Sequence, residues 1–171
     1  GMRRSELLGL RWSDIDFKKS TISISQTALK IGSTAVISNT TKTASSKRII
    51  AIDTETLQEL MKHKTIIDKR RIKTMNWINN NLVFPGVKGG PRCPDEVSKL
   101  CKKYANLIGK PYFTMHGTRH THATLLIENG ANMKAIQERL GHASFQETMD
   151  TYSHVTPKME DDIIERISKI F

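Results

Sequence analysis

Apolar and polar positions alternate first over Thr21-Ile22-Ser23-Ile24-Ser25, the period-two signature of a strand with one buried face. Two more β-like runs follow, Thr34-Ala35-Val36-Ile37 and Arg48-Ile49-Ile50-Ala51-Ile52, separated by a polar hairpin-like connection from Ser38 to Lys47. Together they predict a small three-stranded antiparallel sheet. Ahead of it, Ser5 to Leu10 reads as a short helix or helix end, and Trp12 to Asp16 breaks that pattern.

After the sheet the period changes. Asp53 or Thr54 is suited to cap a helix, and Leu57, Leu60, Met61, Ile66 and Ile67 recur at helical spacing to about Arg71. Asn79 to Pro94, with Gly86, Gly89 and Gly90, reads as an irregular loop around Leu82-Val83-Phe84. Helices are predicted again over 95–108, 116–128 and 132–140, with Gly130 and Gly141 as stops. Ser144-x-x-Glu147 is a capping box, and Thr156-Pro157 opens a final helix to about Lys169. In that last segment Met159, Ile163, Ile164, Ile167 and Ile170 form one apolar stripe. The chain thus reads as α+β and mainly α-helical, with the sheet packed at the edge of a helical domain. There is no internal repeat and no linker, so 171 residues make one domain.

Composition narrows the class. At 37% apolar and 26% charged residues the chain is globular, and no apolar run approaches the ~18–20 residues of a membrane span. Cys93 and Cys101, eight apart, match neither a redox pair nor a zinc knuckle, and read as reduced thiols of a cytoplasmic protein. The net charge of +10 is unevenly spread: residues 1–120 carry 22 basic against 9 acidic side chains, whereas 121–171 carry 5 against 8. A basic body with an acidic tail points to a polyanionic partner, with nucleic acid the first candidate. Only 6% of residues are aromatic, too few for a single-strand stacking platform.

Four segments carry candidate chemistry: Gly1-Met2-Arg3-Arg4-Ser5-Glu6-Leu7, Thr41-Lys42-Thr43, His116-Gly117-Thr118-Arg119-His120, and Leu140-Gly141-His142 with Tyr152 ten residues on. Two guanidiniums bracket a phosphodiester's non-bridging oxygens with fixed donors and stay charged at any working pH. A tyrosine hydroxyl titrates near ~10 and needs a base, for which histidine near ~6.5 is suited; a lysine can protonate a departing alkoxide. His116 and Arg119, three apart on one helix, share a face. Other readings are a metal-binding group at His116, His120 and His122, or a helix-turn-helix reader between Thr118 and Tyr152.

In this order and spacing the segments closely resemble the catalytic domain of the tyrosine recombinases, the phage integrase family, from Arg3 to about Ile170. The resemblance implies a site-specific recombinase that cleaves and rejoins duplex DNA through a 3′-phosphotyrosine, integrating or excising a phage or integrative mobile element. It implies Arg3 and Arg119 as catalytic arginines, Glu6 as the structural neighbour of Arg3, and Lys42 as the acid on a β-hairpin turn. His116 and His142 are its two histidines and Tyr152 its nucleophile. No metal, ATP or other cofactor is implied. A type IB topoisomerase shares the chemistry, but short length and integrase-style motifs argue against it. Implied partners are duplex attachment sites, a tetramer formed on DNA through the C-terminal helix, and host DNA-bending or directionality factors. The implied location is the bacterial cytoplasm, at the nucleoid when DNA-bound. The implied boundaries are a catalytic domain over 1–171, truncated at its N-terminus so that core-binding and any arm-binding domains are absent. Two residues from the chain's start, Arg3 is expected to be poorly fixed by fraying.

Overall fold

The computed structural model describes residues 1–38, 47–142, 144, 146 and 148. The chain opens with helix α1 (Arg4–Gly9), a 3₁₀ turn over Trp12–Asp14 and five short strands. The strands are β1 (Ile15–Asp16), β2 (Thr21–Ile24), β3 (Thr27–Ile31), β4 (Thr34–Ser38) and β5 (Arg48–Ala51). Helices α2 (Thr54–Lys73), α3 (Pro94–Leu107), α4 (Met115–Glu128) and α5 (Met133–Leu140) complete the described elements. The helical segments expected over 54–71, 95–108, 116–128 and 132–140 are therefore present with small shifts at their ends. A mainly helical α+β fold stands.

The strands pair differently from the expectation. A three-stranded antiparallel sheet exists in the order β1-β2-β5, but Thr34–Ser38 is not in it. That strand pairs instead with β3 in a separate antiparallel ribbon, Thr27 opposite Ser38 and Ile31 opposite Thr34. Strand β4 ends at Ser38 in the ribbon and β5 opens at Arg48 in the three-stranded sheet; the connection expected between them, 39–46, lies outside the described residues. The ribbon's first strand, β3, has no clean alternation because Leu29 and Ile31 both face solvent, at 40% and 62% exposure. In the larger sheet the alternation is decisive: Ile22 and Ile24 are buried, and Ile22 stands opposite buried Ile50.

Two apolar clusters hold the domain. One joins Leu10, Ile15, Ile22, Ile24, Ile50 and Val83, with Leu57 and Leu60 of α2 packed on them. In α2, Ile67 is buried whereas Met61 and Ile66 are exposed. At 3.6 residues per turn Ile66 falls on the far side from Leu57 and Leu60. Asp53 caps this helix by accepting from the Thr56 amide. The loop expected around Leu82-Val83-Phe84 is irregular and anchors by backbone: Val83 N–H donates to Leu10 C=O at 2.8 Å. The second cluster joins Ala123 and Ile127 of α4 to Ile136 and Leu140 of α5. It fixes the α4–α5 pair and with it the end of α5. Gln146 and Thr148 are helical, in the region where the Ser144 capping box was read. The final helix expected after Pro157 lies outside the described residues.

Candidate active site

Helix α5 ends at Gly141, whose φ of 67° is the left-handed conformation that glycine adopts at helix ends without strain. A helix end leaves carbonyls without intrahelical partners and with partial negative charge. Here three successive carbonyls are each taken by a different arginine. Arg48 Nε donates to Arg139 C=O at 2.8 Å, Arg119 Nη2 to Leu140 C=O at 2.8 Å, and Arg3 Nη2 to Gly141 C=O at 2.9 Å. Chain positions 3, 48 and 119 thus converge on one helix terminus.

Each guanidinium has a second restraint. Arg3 Nη1 donates to Glu6 Oε1 at 3.0 Å, and its own backbone N–H donates to Glu6 Oε2 at 2.8 Å. Arg48 meets the same carboxylate with two parallel hydrogen bonds. Arg119, 4% exposed, donates through Nη1 to Gly1 C=O at 2.7 Å. The expectation that Arg3 frays is thus corrected, because a buried carboxylate and a helix-end carbonyl both hold it. Burial pushes the Glu6 carboxyl upward, but hydrogen bonds from Arg48 and Arg3 outweigh it and keep its pKa below the ordinary value.

Arg3, His116 and Arg119 line one cleft of about 840 Å³, together with Arg4, Ser98 and Lys102. On α4, capped by Thr114 accepting from the Gly117 amide, His116 and His120 face each other with Nε2 atoms 3.0 Å apart. His122, one turn on from Arg119, accepts from Arg139 Nε at 3.1 Å. Burial, with positive charge including Arg139 and Arg119 added, holds the His122 pKa well below its usual value. The three histidines therefore do not converge, and among the described residues no group of three metal-ligating side chains exists.

His142 is buried, and its Nδ1 lies 2.8 Å from the hydroxyl of fully buried Thr148. Among the described residues it does not line the cleft; it stands directly after the glycine whose carbonyl Arg3 binds. Lys42 and Tyr152 lie outside the described residues. Arg48 and Arg139 escaped the sequence reading. Arg48 opens a strand and resembles any solvated strand-end cation, and its carboxylate partner lies 42 residues away. Among the described residues no helix is long and apolar enough to cross a membrane.

Comparison with known proteins gives a consistent result. The model of the phage integrase family matches residues 1–159. The chain is 30% identical over its whole length to a "tyrosine recombinase XerC-like" protein of Caldanaerobacter subterraneus subsp. tengcongensis, covering 47% of that relative. It is 34% identical over 99% of its length to an integrase of a Staphylococcus phage, covering 49% of it. Among solved structures, the Tn1549 transposon integrase in complex with circular intermediate DNA superposes with a TM-score of 0.78 at 26% identity, over 96% of this chain and 55% of that one. The chain spans about half the length of the curated relatives it matches.

Proposed function

Since the chain belongs to the phage integrase family, whose relatives are tyrosine recombinases, we propose that it performs the strand-cleaving and rejoining chemistry of a site-specific DNA recombinase. The observation that carries this reading is the convergence of Arg3 and Arg119 on adjacent carbonyls at the end of α5, beside His116 in one open cleft. Two rigid, permanently charged forks at one concavity suit the non-bridging oxygens of a phosphodiester, and they stabilise the extra charge of a pentacoordinate transition state.

In this proposal the Tyr152 oxygen attacks the scissile phosphorus and loses its proton, with His116 and His142 assisting. The bond from phosphorus to the 5′-oxygen breaks, and Lys42 protonates the departing oxygen. A 3′-phosphotyrosine and a 5′-hydroxyl result; attack by another 5′-hydroxyl reverses the step without ATP, because the phosphodiester's energy is kept in the covalent link. Structural relatives solved with transposon DNA support duplex DNA as the substrate. Attachment sites of a phage or integrative element, a DNA-bound tetramer joined through the acidic C-terminal segment, host bending or directionality factors and action at the bacterial nucleoid complete the proposal. A helix-turn-helix reader would have no use for two arginines held on adjacent carbonyls of one helix end.

The test offers the full-length protein a nicked duplex whose cleaved piece diffuses away. An SDS-resistant protein–DNA adduct is expected, formed in EDTA and abolished by Tyr152→Phe. An adduct that survives that substitution reassigns the nucleophile, and a metal requirement discards the mechanism.

A further inference from the structure

Arg3 and Arg4 are neighbours in sequence but engage different elements. Arg3 is committed to Glu6 and the end of α5, whereas Arg4 Nη1 donates to the Ser98 hydroxyl on α3. That partner is neutral. Among the described residues no carboxylate lies in ion-pair range of Arg4. Asp95, whose carboxylate feels the charge of Arg4, is itself paired with Lys30 at 2.7 Å. Arg4 is thus fixed in place with its charge unneutralised, and most of its N–H donors remain for another ligand.

Lys102 follows Ser98 by four residues on α3, so both share a face, and Arg4, Ser98 and Lys102 all line the cleft that holds Arg3, His116 and Arg119. The cleft therefore has two cationic corners, one on the end of α5 and one between α1 and α3. A DNA strand is a continuous polyanion, and a strand with one phosphate at the first corner carries further phosphates on either side.

We propose that Arg4 and Lys102 form a second phosphate seat that takes a phosphodiester immediately flanking the one held by Arg3 and Arg119 on the same strand, with Ser98 positioning the Arg4 guanidinium. This rests on the recombinase reading above. One contact point leaves a strand free to slide or swivel; two points on successive phosphates set which bond faces the nucleophile.

Single uncharged methylphosphonates, placed in turn on the phosphates flanking the cleavage site, test the seat in the adduct assay with the full-length protein. In the wild type, one flanking replacement is expected to slow adduct formation about tenfold. Arg4→Gln is expected to lose a similar factor on unmodified DNA, and to lose little more when that same phosphate is neutral. Lys102→Gln, a change at an exposed position that leaves packing intact, is expected to show the same non-additivity more weakly. The seat is overturned if neither flanking position matters to the wild type, or if variant and methylphosphonate effects multiply in both variants. Absence of any wild-type adduct on unmodified DNA overturns the recombinase reading itself, and the seat with it.

Discussion

Arg48 grips Glu6 with two parallel hydrogen bonds of 3.0 and 2.8 Å, between side chains that are 7% and 2% exposed. This buried fork organises the site, because the same carboxylate also orients Arg3.

Removing one partner strands a charge away from water. Arg48→Ala is expected to destabilise the fold by about 3–5 kcal/mol, read from urea denaturation at pH 7. The sign of the acid dependence follows from Glu6, whose folded pKa lies below its unfolded value of about 4.3. The unfolded state binds the extra proton, so the pair's contribution is complete above that pH and fades as pH falls through the folded pKa. The difference between wild type and Arg48→Ala is expected to shrink correspondingly below about pH 4.

Gly141→Ala strains the same place in two ways. Its φ of 67° disfavours any side chain by about 1–2 kcal/mol. The new Cβ would also come within 2.7 Å of the Arg48 guanidinium. Thermal denaturation is expected to register a modest loss. The adduct assay is expected to register a larger one, because Arg3 and Arg48 both hang from this terminus.

Arg119→Lys retains the charge but not the planar fork. A single ammonium has no second arm to span Gly1 C=O and Leu140 C=O while facing the cleft. Cleavage is expected to fall about 10²–10³-fold, as for loss of one transition-state donor. Affinity for unmodified duplex, measured by fluorescence anisotropy, is expected to change far less.

His122 gives a second pH dependence. It accepts a hydrogen bond from Arg139, which only the neutral ring allows, and its pKa is lowered by burial and neighbouring positive charge. With the unfolded value near ~6.5, the unfolded chain protonates first as pH falls, so stability is lost from about 6.5 downward to the folded pKa. His122→Gln retains an acceptor without titrating, and is expected to flatten stability against pH over that interval. An imidazole titration followed by NMR checks the ring directly.

The helices were legible because their signals are local. Asp53, Thr114 and Asn132 each cap the helix that follows them, and Gly130 and Gly141 stop the helices they follow, with φ of 74° and 67°. Strand partnership was not legible. Thr34–Ser38 has equal β character whichever neighbour it joins, and Ile15–Asp16 is too short to show any period. Among the candidate site residues, Arg3, His116 and Arg119 do gather at one cleft. The role of Arg48 escaped because no spacing rule links a strand-end arginine to a glutamate 42 residues earlier; only the folded chain brings them together.

Three arginines, at positions 3, 48 and 119, must all reach one helix end before that terminus is fully clasped. Until these long-range contacts form, the chain is expected to lack the Arg3–Arg119 corner proposed to hold the phosphate. On the recombinase reading, cleavage competence is expected to be lost together with the native fold, so that partly unfolded copies leave DNA intact.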